Sequence, residues 1–187
     1  MYDVETERLY LRPLEPEDLD VYYERIFADP EVTRALPSGQ PVPRETFDTR
    51  IYHVLMEPWE HHGFGPWIVV HKADDEVIGH CGVRYWLDST EIEVFYALGR
   101  SWWGRGFATE GARASLRFGF EQLGLDSIMA AAKVDNLASR RVLEKIGMRF
   151  EGTFQFLGLE AARYGISRGE LPVDGSPYRA IAWSREP

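Results

Sequence analysis

Apolar and polar positions follow two rhythms along this chain, and each change of rhythm marks an element. From Arg8 to Pro13 they alternate, with Leu9 and Leu11 on one side and Arg8, Tyr10 and Arg12 on the other. That predicts a strand, closed by Pro13 and Pro16. From Glu17 to Phe27 the apolar positions Leu19, Tyr22, Tyr23, Ile26 and Phe27 recur at helical spacing, with Pro16 and two acids at the start and Asp29-Pro30 as the stop. A Pro/Gly/Ser-rich loop from Leu36 to Pro43 precedes a second helix over Glu45 to Glu57. Pro66 to His71 and Glu76 to Tyr85 read as strands joined by the turn Ala73-Asp74-Asp75, and Glu91 to Leu98 as a third. Ser127 to Ala132 predicts a short strand. Asn136 to Ile146 predicts a helix that ends legibly: Lys145 in the last turn, Gly147 just beyond it, and Met148 placed to cover Leu143 in a Schellman-type cap. Thr153 to Leu159 and Ala161 to Arg168 predict a hairpin. Beyond Gly169 the tail carries turn signals over Asp174-Gly175-Ser176-Pro177 and a short strand from Tyr178 to Trp183, suited to covering a sheet edge or to meeting a second subunit in a homodimer.

Between the third strand and the short one lies the stretch that organises the rest, Glu91 to Gln122. A strand leads into a loop holding Gly104 and Gly106, and a helix opens from those glycines with Phe107, Ala108, Gly111, Ala112, Leu116, Phe120 and Leu123 on one face. Glycine lets the backbone come close to a ligand. The first N–H groups of a helix have no internal partner, so the stretch predicts a cradle for phosphate. A Walker loop is excluded, because Gly106 is followed by Phe107 and Ala108 where Lys and Ser or Thr are needed. A dinucleotide fingerprint fits poorly: its third glycine is Thr109, and Asp126 opens the next strand instead of closing it.

Composition narrows the function classes. The chain has 187 residues, enough for one substantial core, and we expect a single domain over residues 1–169 with residues 170–187 as a tail packed on it or at a subunit interface. No apolar run is long enough to span a membrane, and Met1-Tyr2-Asp3-Val4-Glu5 has neither a basic start nor an apolar core, which predicts a soluble cytoplasmic protein. One cysteine excludes an internal disulfide framework. A net charge of −9 argues against nucleic acid as partner and suits a cationic substrate such as an amine. No metal site is expected, because His53, His61 and His62 lack ligand spacing. His80 and Cys81 are neighbours on a strand and point to opposite faces, which removes a Cys-His dyad.

Three motifs then occur in a familiar order. Thr6-Glu7-Arg8-Leu9-x-Leu11-Arg12 opens the chain, Trp103-Gly104-Arg105-Gly106-Phe107-Ala108-Thr109-Glu110 holds the glycines, and Asn136-x-x-Ser139-x-Arg141-Val142-Leu143-Glu144-Lys145-x-Gly147-Met148 follows. Together they resemble the GNAT N-acyltransferase superfamily, and within it the branch of ribosomal-protein N-terminal acetyltransferases and their relatives. The resemblance runs roughly from Thr6 to Arg168. It implies an α+β fold with a mixed, mostly antiparallel sheet and helices on both faces, matching the predicted order β-α-α-β-β-β-α-β-α-β-β. It also implies that the fourth and fifth strands of that fold, here Glu91 to Leu98 and Ser127 to Ala132, splay apart to admit the pantetheine arm of acetyl-CoA.

The same resemblance implies roles. The backbone from Trp103 through Gly104, Arg105, Gly106 and Phe107 to Ala108, with Thr109, would hold the pyrophosphate, and the Arg105 side chain could add a bond to phosphate. Phe95, Tyr96, Ala97 and Leu98 would lie along pantetheine, with a main-chain N–H near Phe95 polarising the thioester. Leu36, Pro37 and Phe47 are substrate-side candidates, with loop or core roles as the alternative. Glu93 occupies the strand position of a catalytic glutamate, with Glu91 in reserve. Acetyl transfer needs a neutral amine: at pH 7 neutralising a lysine-like amine costs roughly 4.6 kcal/mol and an α-amine only about 1.4. The tyrosine many relatives use to protonate the leaving thiol is replaced by Leu143, so Ser139 is the candidate for the sulfur, and Asn136 for holding pantetheine. Helix capping alone would also explain both polar residues. The expected function is transfer of an acetyl group from acetyl-CoA to a primary amine, a peptide N-terminus or a small molecule. The missing tyrosine keeps a noncatalytic acyl-CoA-binding regulatory module open.

Overall fold

The computed structural model describes residues 1–87, 89–172 and 175–183. Its nine strands form one sheet in the order β7-β8-β6-β5-β4-β3-β2-β1-β9. The strands are β1 (Tyr2–Thr6), β2 (Leu9–Arg12), β3 (Pro66–His71), β4 (Glu76–Tyr85), β5 (Ile92–Leu98), β6 (Ser127–Lys133), β7 (Arg149–Phe156), β8 (Leu159–Ser167) and β9 (Tyr178–Ala182). Every neighbouring pair is antiparallel except β5 and β6, which run parallel.

The helices are α1 (Leu19–Tyr22), α2 (Pro30–Ala35), α3 (Arg44–Ile51), α4 (Glu57–His62), α5 (Phe107–Glu121) and α6 (Leu137–Lys145). Wider π turns, Tyr23–Phe27 and Tyr52–Met56, extend α1 and join α3 to α4. The segments predicted as the first two helices are thus helical, with pitch changes that periodicity alone does not show. The sheet separates two cores. Leu116, Phe118, Leu143 and Ile146 of α5, α6 and the turn after α6 pack with Trp67, Val83 and Tyr164 on one face. Tyr22, Ile26, Phe47 and Leu55 pack with Ile68, Val70 and Ala97 on the other.

Three elements differ from the sequence reading: α2, β1 and the β7–β8 turn. α2 starts where a stop was expected because the Asp29 side chain caps it, accepting from Glu31 N–H at 2.8 Å. β1, a short strand with acids among its residues, was not predicted, and it forms because β2 pairs it on one side and β9 on the other. The hairpin turn lies at Leu157-Gly158, both with positive φ (50° and 76°), so β7 ends at Phe156 and β8 starts at Leu159. Two consecutive left-handed residues give the twist a tight hairpin needs. The tail strand pairs with β1 of its own chain and forms the sheet edge; of the predicted tail turn, Asp174 lies outside the described residues.

α6 ends as read. Met148 N–H donates to the Leu143 carbonyl at 3.0 Å and Gly147 N–H to that of Glu144 at 3.1 Å, with Gly147 at φ 93°. These are the two bonds of a Schellman cap.

Candidate active site

β5 pairs with β4 along its whole length, from Ile92 opposite Tyr85 to Leu98 opposite Gly79. Its pairing with β6 is limited to Glu93 opposite Met129. Beyond that point the two parallel strands diverge, and a cleft of about 760 Å³ opens between them. Leu36 and Pro37 line it, as do Glu93 through Leu98, the glycine loop, and Asn136 and Ser139 of α6.

At one end the site is main chain. The first bond of α5 runs from Glu110 N–H to the Gly106 carbonyl at 3.0 Å, so the N–H groups of Phe107, Ala108 and Thr109 have no partner inside the helix. Gly104 and Gly106 hold φ of 72° and 86°, a conformation that turns the loop and favours residues without Cβ. The loop is braced from the start of the chain. Glu110 accepts from Thr6 Oγ1 at 2.6 Å, from Arg8 N–H at 2.8 Å and from Arg8 Nε at 2.7 Å, while Arg8 Nη1 donates to the Arg105 carbonyl at 3.0 Å. The first and second motifs of the sequence therefore meet in space, a role for Thr6 and Arg8 that the sequence reading did not assign.

Several side chains here differ from expectation. The Arg105 guanidinium lies over Trp102 at 4.7 Å and Phe107 at 5.0 Å, a cation–π contact, and is not among the residues that line the cleft. Trp103 Nε1 donates to the Leu98 carbonyl at 2.7 Å, which occupies the main-chain acceptor expected to face pantetheine. The Phe107 ring is buried in the core, leaving its backbone for the loop.

Towards the other end the site is side chain. Tyr96 Oη lies 2.9 Å from Ser139 Oγ across the gap, and 3.2 Å from the Ser139 carbonyl. Burial pushes the Tyr96 phenol far above its usual range, so it stays a neutral hydroxyl. Asn136 caps α6, its side chain accepting from Ser139 N–H at 3.0 Å. The capping explanation of Asn136 holds, and Ser139 has a second partner that capping does not explain.

Glu93 is buried, and its Oε1 accepts from Arg84 Nε at 2.8 Å. Burial raises its carboxyl above the ordinary value while Arg84 pulls it back. Glu91 is elsewhere: it precedes β5, is exposed, and pairs with Arg163 at 2.5 Å. Phe47 is fully buried against Tyr22, Tyr23 and Phe27, a core residue and not a wall of the cleft. Arg84 and Trp86 also line the cleft; the sequence reading left Arg84 unassigned and took Trp86 for a core or rim aromatic. The β4–β5 register sets Arg84 opposite Glu93, and Trp86 N–H donates to the Glu91 carbonyl at 2.8 Å just beyond it.

His80 and Cys81 do part as expected. His80 Nδ1 meets Tyr22 Oη at 2.7 Å on one face, and Cys81 Sγ meets Ser115 Oγ at 3.3 Å on the other. Burial holds the Cys81 thiol up at about 12 and the His80 imidazole down at about 3, so both stay neutral. No cluster able to hold a metal occurs among the described residues.

With this geometry in view, the family model for the Acetyltransferase (GNAT) domain matches residues 8–149. The chain belongs to the GNAT acetyltransferase family. It is similar to the uncharacterised protein YkkB of Bacillus subtilis, 33% identical over 152 residues that cover 80% of this chain and 87% of YkkB. The uncharacterised N-acetyltransferase p20 of Bacillus licheniformis is 32% identical over 151 residues, covering 79% of this chain and 82% of p20. Among solved structures, a GNAT-family acetyltransferase from Bacillus anthracis superposes with a TM-score of 0.77 at 25% identity, over 90% of this chain and 99% of that one. The mixed, mostly antiparallel sheet with its helices is thus the GNAT fold, and the chain is an acetyl-CoA-dependent acetyltransferase. No helix among the described residues is long and apolar enough to cross a membrane.

The residues present suit acetyl-CoA. Unpartnered N–H groups at the start of α5 match phosphate, and the edge of β5 left open beyond Glu93 offers main-chain groups to an extended amide-bearing arm.

Proposed function

We propose that this GNAT chain acetylates a primary amine by direct attack on the bound thioester. The observation that carries the reading is the placement of a buried carboxylate, Glu93, and a hydroxyl held across the gap, Ser139, in one cleft that begins at an N–H cradle. Acetyl-CoA, when bound, supplies the acyl group activated as a thioester. Glu93 takes the proton of the attacking amine, directly or through water, and its raised pKa brings it nearer to that task at neutral pH. A main-chain N–H near Phe95 stabilises the developing oxyanion. Ser139, positioned by Tyr96 and by its own bond to Asn136, donates a hydrogen bond to the departing sulfur, the task left open by Leu143.

Free-thiol release from acetyl-CoA against a panel of amines, with calorimetric CoA binding on the same sample, tests the reading. Turnover with an amine supports it. CoA binding without turnover on any amine overturns it.

A further inference from the structure

Resting on that reading of the cleft, we propose that the acceptor is an α-amino-acyl compound with a large apolar side chain. Its amine is one carbon from a carboxylate or carbonyl, and it is not a polyamine.

Arg84 and Glu93 face each other on β4 and β5 and form a cross-strand ion pair on the cleft floor. Only Arg84 Nε is used by Glu93. Nη1 and Nη2 make no bond to protein among the described residues, and the guanidinium carbon lies 3.8 Å from the centre of the Phe95 ring. A carboxylate beside an open N–H fork is the complement of an ammonium beside a carboxylate or carbonyl. The amine meets Glu93 and the oxygen meets the fork. An amine without such an oxygen leaves the fork without its charge-assisted partner and forgoes that bond.

The walls above this floor are apolar. Trp86 packs on Phe156 with ring centroids 4.7 Å apart, Leu87 is 62% exposed beside them, and Leu36, Pro37 and Leu159 continue the surface. A rim of half-buried aromatic rings and an exposed leucine on a concave site fits a hydrophobic side chain. Charge weighs against a polyamine. The cleft lining holds three carboxylates, Glu31, Glu93 and Asp135, against five basic side chains, and Glu31 is already paired with Arg34 at 3.0 Å. A polyamine needs a row of free carboxylates. The net charge of −9 belongs to the whole chain and does not describe this cleft, where the cationic amine meets Glu93 alone.

The test measures thiol release by the full chain with L-phenylalanine, the dipeptide Phe-Gly, glycine, phenethylamine and spermidine, and calorimetric binding of L-phenylalanine and phenethylamine. We expect kcat/KM for L-phenylalanine or Phe-Gly to exceed that for phenethylamine and for glycine at least tenfold, with binding in the same order and spermidine last. Whichever of the free amino acid and the dipeptide is preferred identifies the source of the oxygen. Arg84→Lys keeps a cation beside Glu93 but loses the fork, and should collapse the preference over phenethylamine. Trp86→Ala should narrow the preference over glycine. Phenethylamine equal to L-phenylalanine, or spermidine as the best acceptor, overturns the inference while leaving amine acetylation standing. Absence of turnover on every acceptor overturns amine acetylation itself.

Discussion

The two ends of the cleft are built from different material. One end, where we propose that phosphate binds, is main chain from the run Trp103 to Thr109, shaped by two glycines at positive φ. The other end, the proposed acceptor end, is side chain gathered from distant places: Leu36 after α2, Arg84 and Trp86 on and beyond β4, Glu93 on β5, Phe156 on β7. A main-chain site is indifferent to most side chains and fails when the backbone cannot adopt its shape. A side-chain site tolerates backbone variation and fails when one functional group is exchanged.

The largest expected effect breaks the first end alone. At Gly106 φ is 86° and an added Cβ would meet Arg8 Nη2 at 3.3 Å. Gly106→Val forces a β-branched residue into a conformation that costs of the order of 1–3 kcal/mol and obstructs the N–H groups. CoA affinity by calorimetry should fall more than a hundredfold, and circular dichroism should remain that of the folded chain. Normal CoA binding by this variant would misplace the phosphate site.

Next in size is Glu93→Gln, which removes the proposed proton acceptor and keeps the shape. We expect kcat to fall by about 10²–10⁴ with CoA affinity unchanged. In the parent protein the base form of Glu93 is gained as pH rises through its raised pKa, so kcat/KM should climb with pH along that limb, and the limb should vanish in the variant. A slow variant that keeps the limb would assign the titration to another group.

Ser139→Ala sits where the two ends meet. Losing one hydrogen bond to a charged sulfur costs about 1.5–3 kcal/mol, a drop in kcat of roughly ten- to a hundredfold. Its effect should fade with acyl donors whose thiols leave more readily, a trend that helix capping alone would not produce.

The smallest effect lies behind the acceptor floor, at His80, which stacks on Phe95 at 4.6 Å. Its imidazole is held at about 3 in the folded chain against an ordinary 6.5. The unfolded chain takes up a proton that the folded one refuses. Stability is therefore complete above about pH 6.5 and is lost as pH falls towards 3, by at most about 1.4 kcal/mol per pH unit. His80→Gln, which does not titrate, should flatten urea-denaturation stability between pH 7 and 4.5; an unchanged slope would place the acid sensitivity elsewhere.

Sequence alone determined what is local. The glycine loop and the start of α5 are contiguous, and helix geometry leaves the same N–H groups free wherever such a start occurs. The end of α6 at Lys145-Ile146-Gly147-Met148 was legible for the same reason, as were β3 and β4, whose bounds match the pattern of their side chains. Tertiary structure decided what depends on pairing. β1 has too little apolar character to announce itself and exists because β2 and β9 flank it. Folding buries Glu93 against Arg84 and sends Glu91 to Arg163 at the surface, a difference their shared strand does not show. Phe47 and Arg105 went to ring contacts that no spacing reveals. Arg84 and Trp86 enter the cleft because the β4–β5 register carries them there. Main-chain chemistry repeats with the local backbone, whereas side chains act through neighbours far along the chain, so only folding brought the acceptor end into being.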